Sequence, residues 1–151
     1  MIKVRTPKIT PFLWFDNNAE EAVKFYTSIF KKSKVIQLHP MVSTFELEGQ
    51  RFMALNGGSA FKFTEAISLF VTCDTQKEVD FYWKKLLSGG GKADRCGWLK
   101  DQFGLSWQIV PSILGKFMSD PDPKKSERVM QAVLKMIKLD IKTLKKAYDK
   151  Q

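Results

Sequence analysis

The chain has 151 residues, 44% hydrophobic and 13% aromatic, which suits one globular domain with a sizeable core and excludes a disordered segment. Its formal charge is +9, but residues 9–115 hold twelve basic against eleven acidic side chains, so the excess sits at the two ends. That distribution reads as solvated helix faces, not a nucleic-acid groove, and no apolar run approaches the ~20 residues that span a bilayer.

In chain order, "ITPFLWF" (residues 9–15) reads as a strand with an aromatic face. A helix follows, with Ala19, Ala22, Val23, Tyr26 and Phe30 at helical spacing. Asn18 stands three residues before Glu21, which predicts a capping box. "KVIQLHP", "STFELEG" and "RFMALNGG" then read as three strands, with a turn at 48–50 and another at "NGG". His39 precedes Pro40 at a turn and reads as a surface residue.

The segment 68–86 repeats the segment 12–30 without a gap, at an offset of 56 residues. Leu13 meets Leu69, Val23 meets Val79, and Phe25–Tyr26 meets Phe81–Tyr82. A second strand and helix are therefore predicted, with Thr75 as cap and "LSGGG" as stop. "GKADRCGWLKDQFG" leads into a last strand, "LSWQIVP", closed by Pro111 and Ser112. Asp101 reads as a turn residue bonding backbone amides, and Cys96 as a small half-buried residue beside a turn. Each half is β-α-β-β-β, and the fold class is α+β.

Residues 113–151 read as helical. Val129, Met130, Val133, Leu134 and Ile137 form one apolar stripe that must be buried, and Asp140 caps a last helix. The expected organisation is a single domain: module one at about 9–58, module two at about 65–111 and a helical tail at about 112–151. Cys73 and Cys96 make no CxxC pair, and "MIKVRTPKIT" has no apolar signal region, so the expected address is cytoplasmic.

The paired βαβββ pattern with "DQFGLSW" near its end resembles the glyoxalase/bleomycin resistance/dioxygenase (vicinal oxygen chelate) superfamily. It is most similar to the PhnB-like group, the so-called 3-demethylubiquinone methyltransferase domain. "ITPFLWFDNNAEEAVKFYTSIF", "FELEGQRFMALNGG", "FKFTEAISLFV", "EVDFYWKKL", "CGWLKDQFGLSWQIVP" and "SDPDP" carry the resemblance across most of residues 9–123. It implies two modules forming an open curved barrel around a cavity, and a homodimer. The stretch between "KVIQLHP" and "STFELEG" is shortened to Met41 and Val42, where relatives carry a longer loop.

In metal-using relatives, four strands each supply one ligand. By this resemblance those positions fall at Thr10, Ala54, Ala66 and Gln108. Divalent metals favour imidazole nitrogen or carboxylate oxygen, and these four residues offer neither. The expectation is no metal and no cofactor. Strand alternation then places Phe12 and Trp14 with Thr10, and Ser68 and Phe70 with Ala66, on the cavity face, joined by Asn56 and Ser106.

Three functions are compatible with this sequence. The leading one is binding of an unknown small apolar or aromatic molecule in an aromatic-lined cavity. The second is a metal-free lyase, isomerase or transferase using Glu46, Glu65, Asp101 or Cys96, with no catalytic residue assigned. The third is an interaction role for the basic C-terminal helices. No strand–GxGxxG–helix element for a nucleotide-like methyl donor is present.

Overall fold

The Pro11 carbonyl accepts the Met53 amide at 3.0 Å, so the first ladder of the fold begins at a residue that has no N–H of its own. The computed structural model describes residues 6–150. They divide into two units, with the boundary between Lys62 and Phe63. The first contains β1 (Phe12–Phe15), α1 (Ala19–Ile29), β2 (Ser33–Gln37), β3 (Val42–Leu47) and β4 (Gln50–Asn56). Its strands lie in the order β1-β4-β3-β2, with β1 parallel to β4 and the other pairs antiparallel. Glu48 and Gly49, both at positive φ, make the two-residue β3–β4 hairpin. The strand predicted from residue 9 starts at Phe12, which leaves Thr10 ahead of it, half-buried.

One face of this sheet packs on α1. Leu13, Phe15, Phe45, Leu47, Phe52 and Ala54 are buried, and Phe45 stacks between Phe52 and Tyr26 of α1. Because Leu13 pairs in register with Ala54, and Trp14 with Leu55, the open face carries Phe12, Trp14, Met53 and Leu55. Val42 and Thr44 of β3 join them, pairing with Leu55 and Met53.

The second unit repeats the order with β5 (Ser68–Cys73), α2 (Gln76–Leu87), β6 (Lys92–Ala93), β7 (Trp98–Lys100) and β8 (Ser106–Pro111). Its sheet runs β5-β8-β7-β6, again with one parallel pair. Trp107, Ile109, Leu99 and Cys73 are buried on the α2 face beside Val79 and Leu86. Thr75 caps α2 as predicted, its Oγ1 accepting the Glu78 amide at 3.1 Å. Each unit thus holds an open four-stranded mixed sheet with one helix between its first two strands, the α+β arrangement read from the sequence.

Three helices follow: α3 (Ser112–Met118), α4 (Pro123–Leu134) and α5 (Ile141–Asp149). They share a core with β8 made of Val110, Phe117, Val129, Val133, Leu139 and Leu144. The tail is also stitched to the second unit by polar bonds. The Cys96 and Gly97 amides donate to the carbonyls of Met136 and Ile137, both at 2.8 Å. Gln76 of α2 donates to the Leu139 carbonyl and accepts the Ile141 amide. Gly97 has φ +83, and a Cβ there would fall 2.9 Å from the Ile109 carbonyl, so the position needs glycine. Asp140 caps α5 as predicted, accepting from the Thr143 amide. No helix among the described residues is long and apolar enough to cross a membrane.

Candidate functional site

The open face of the first sheet is aromatic at its β1 edge. Phe12 is 51% exposed, while Trp14 is held in place. The Trp14 indole Nε1 donates to the Gly58 carbonyl at 2.9 Å, and Phe61 meets its ring edge-on with centroids 4.9 Å apart. A Cβ on Gly57 would lie 2.3 Å from the indole. "NGG" is therefore a turn, as the sequence suggests, and also the seat of Trp14.

Ala54 and Asn56 do not lie on this face. Both alternate with Phe52 toward α1, and Ala54 is fully buried there. Asn56 supplies the start of α1 with what Asn18 was expected to give: its Oδ1 accepts the Ala19 amide at 2.9 Å, while Asn18 makes no side-chain cap. The Asn56 Nδ2 donates to the Pro40 carbonyl at 2.8 Å. A one-residue change of register moves a side chain to the other face of a sheet, and here it replaces Ala54 and Asn56 with Met53 and Leu55.

In the second unit Ser68, Phe70, Ser106 and Gln108 share the open face, as the alternation predicts. Gln108 Nε2 donates to Ser68 Oγ at 2.9 Å across the β5–β8 pair. Ser106 is buried, and its hydroxyl has no hydrogen-bond partner among the described residues. Ala66 does not join them: it lies exposed in a turn before β5. Trp98 of β7 sits beside Gln108, a neighbour that the sequence reading missed although its parity in "CGWLK" matches that face.

Beside Gln108 and Trp98 an open hollow of about 340 Å³ runs between this sheet face and helices α3 and α4. Phe70, Cys96 and Val110 line it from the sheet side, and Leu114, Met130 and Leu134 from the helices. No charged side chain takes part in the lining. The predicted stripe on α4 is divided accordingly. Val129 and Val133 are buried, whereas Met130 and Leu134 remain 37% and 52% exposed.

The acids considered for catalysis are engaged elsewhere, and Cys96, the thiol considered, lines the hollow among apolar side chains. Glu46 pairs with Arg51 at 3.1 Å and with Lys34 at 3.4 Å, and the Arg51 guanidinium holds its carboxyl below the usual range. Glu65 forms an ion pair with Lys100, whose hydrogen bond lowers that carboxyl too. Asp101 is buried: its Oδ1 accepts from the Phe103 and Leu105 amides and its Oδ2 from Trp107 Nε1. Burial pushes the Cys73 thiol up to about 12, so it stays neutral. His39 is exposed and its Nδ1 accepts the Met41 amide, closing a turn.

These residues do not fit a divalent cation. Among the described residues no three His, Cys, Asp or Glu side chains converge. Thr10, Ala54, Ala66 and Gln108 offer one hydroxyl and one amide between them, and Ala54 faces a helix. Met53 and Leu55, which replace it on the open face, bring no oxygen or nitrogen ligand.

The duplicated βαβββ sheets define a protein of the glyoxalase/bleomycin resistance superfamily fold. A glyoxalase-related enzyme from Fulvimarina pelagi shares it at 14% identity and a TM-score of 0.51, over 72% of this chain and 91% of that one. The fosfomycin resistance protein FosX from Listeria monocytogenes, complexed with Mn(II) and sulfate, is similar at 15% identity and a TM-score of 0.51, over 71% and 88%. Within that fold the chain belongs to the family described as 3-demethylubiquinone-9 3-methyltransferase, whose model matches residues 7–110. It is 35% identical to the PhnB protein from Bacillus cereus, with a TM-score of 0.66 over 70% of this chain and 100% of that one. No curated protein matches the chain at a significant level.

Proposed function

We propose that this PhnB-like protein binds a small apolar or aromatic molecule without a metal, using the open faces of its sheets. The observation that carries the reading is the pair of exposed phenylalanines, Phe12 at 51% and Phe70 at 58%, standing on strand faces. Beside Phe70 lie neutral polar groups, Ser68 and Gln108. Stacking on an aromatic with one or two hydrogen bonds is how such a surface holds a flat, uncharged ligand. In this reading the contact residues are Phe12 and Trp14 on the first face, and Ser68, Phe70 and Gln108 on the second, with Ser106 buried beneath them. Thr10 belongs at the edge of the first face, with Ala54 and Asn56 behind that sheet, and Ala66 precedes the second.

The proposal includes a homodimer and a cytoplasmic address. Val35, Ile36, Leu38 and Met41 are exposed apolar side chains on and beside edge strand β2, a surface suited to pairing with a second copy.

The test is native mass spectrometry on protein purified without added metal, followed by a saturation-transfer NMR screen of neutral aromatic fragments. A dimer mass without stoichiometric metal, with fragments that bind the wild type and not Phe70→Ser, supports the reading. Stoichiometric divalent metal, or no binder across the screen, overturns it.

A further inference from the structure

The family match ends at residue 110, and α3 begins at Ser112. The whole Bacillus cereus relative is accounted for by 70% of this chain, so the other 30% has no counterpart in it. That added portion is not a loose appendage. It contributes Phe117, Val129, Val133, Leu139 and Leu144 to a core built on Val110 of β8. It is pinned again where Cys96 and Gly97 bond to Met136 and Ile137.

The packing leaves a gap where it would be expected to close. An amphipathic helix docked on a sheet normally buries its whole apolar stripe. Here Val129 and Val133 are buried, but Met130 and Leu134 stand exposed across from Phe70, Trp98 and Gln108, along the 340 Å³ hollow. Apolar side chains on both walls favour an apolar occupant. The uncharged lining disfavours an ionic one. Gln108 donates through Nε2 to Ser68, while its Oε1 makes no hydrogen bond among the described residues. That oxygen can accept one N–H or O–H from an occupant.

We infer that the tail builds a ligand site of its own on the second unit: the hollow between the β5-β8-β7 face and α4 takes a neutral, largely aromatic molecule with one hydrogen-bond donor. The inference rests on the small-molecule reading above and narrows it to one place and one ligand class. Phe70 and Trp98 supply the aromatic wall, Met130 and Leu134 the adaptable one, and Gln108 the polar anchor. The Cys96 thiol adds a further soft surface.

The experiment titrates the full chain with N-phenyl-1-naphthylamine, a neutral fluorophore with a single N–H. Saturable binding near one equivalent is expected for the wild type. Met130→Trp and Leu134→Trp fill the hollow from exposed positions, so they should retain the wild-type melting temperature and bind roughly tenfold or more weakly. Gln108→Leu should weaken binding about fivefold through loss of the acceptor. Phe81→Ser, at an exposed position of α2 outside the hollow, should leave it unchanged. If both tryptophan variants bind like the wild type while Phe12→Ser, on the first unit, loses the probe, the inference falls and the broader reading stands. If the wild type shows no saturable binding, both fall.

Discussion

The Asn56 side chain of β4 accepts the Ala19 amide through Oδ1 at 2.9 Å, so a strand end caps the first helix across 37 residues of sequence. Its Nδ2 also donates to the Pro40 carbonyl, which ties the β2–β3 connection to the same point. Asn56→Ala removes both bonds and leaves a helix N–H without its partner. The expected cost is about 1–2 kcal/mol in urea unfolding. Asn18→Ala, at the position that sequence spacing alone selects, should cost less, because Asn18 makes no side-chain cap. Equal losses from the two variants would contradict this assignment.

Gly57 lies against Trp14, not at a strained backbone angle. A methyl group there would meet the indole at 2.3 Å, so Gly57→Ala must displace Trp14 or the loop that carries Gly58 and Phe61. Overpacking of this kind costs about 1–3 kcal/mol. Thermal unfolding of Gly57→Ala and Gly49→Ala separates the causes. Nothing lies within contact of a Cβ at Gly49, so any loss there comes from its φ of +84. Trp14→Phe combined with Gly57→Ala should recover part of the loss if the clash is the cause.

Much of the architecture follows from local pattern. The repeat at an offset of 56 gives both βαβββ orders, and Thr75 and Asp140 cap the helices that their positions predict. The face of β4 does not follow in the same way. "RFMALN" has four apolar residues in a row, so alternation cannot say whether Met53 or Ala54 faces α1. Only pairing with β1 decides it, through Leu13 opposite Ala54. The Asn56 cap and the seat of Trp14 are likewise contacts between distant residues, without a local signature. The division of the α4 stripe into buried and exposed positions depends on where the tail meets β8, which periodicity does not encode. On β5 and β8 the alternation is regular, and there Ser68, Phe70, Ser106 and Gln108 share a face as expected.

Asp101 organises the turn between β7 and β8. Its carboxylate takes two backbone amides on one oxygen and the Trp107 indole on the other, all in a buried place. Asp101→Asn keeps the shape but places an NH₂ against N–H donors whichever way the amide turns. The expected loss is about 2–4 kcal/mol, measured by denaturant titration. Fragment binding by the variant should be retained under conditions where it is folded. A variant as stable as the wild type would show that these bonds contribute little.

The tail carries a pH-sensitive clasp between Asp120, just beyond α3, and Tyr148 of α5. Tyr148 Oη donates to Asp120 Oδ2, and the Tyr148 ring stacks on Phe117 with centroids 4.2 Å apart. The bond holds the Asp120 carboxyl below the usual carboxylate range and, foremost through the same bond, raises the Tyr148 phenol above its usual range. The signs follow from linkage. A depressed carboxyl contributes stability that is present above its unfolded value and lost as pH falls through the folded one. A raised phenol contributes stability that is present below its unfolded value and lost as pH rises through the folded one. The clasp therefore acts in the window between acidic and strongly alkaline pH. Amide hydrogen exchange in α5, corrected for intrinsic rate, should show protection falling at both ends of that window. Tyr148→Phe keeps the ring on Phe117 but removes the hydroxyl, so it should lower protection at neutral pH and flatten both limbs. Asp120→Asn should flatten the alkaline limb too and leave a residual acid limb, because Asp140 and Asp80, held low foremost by Thr143 and Lys138, continue to titrate. Superimposable profiles for the wild type and Tyr148→Phe would mean that the tail is held by its apolar core alone.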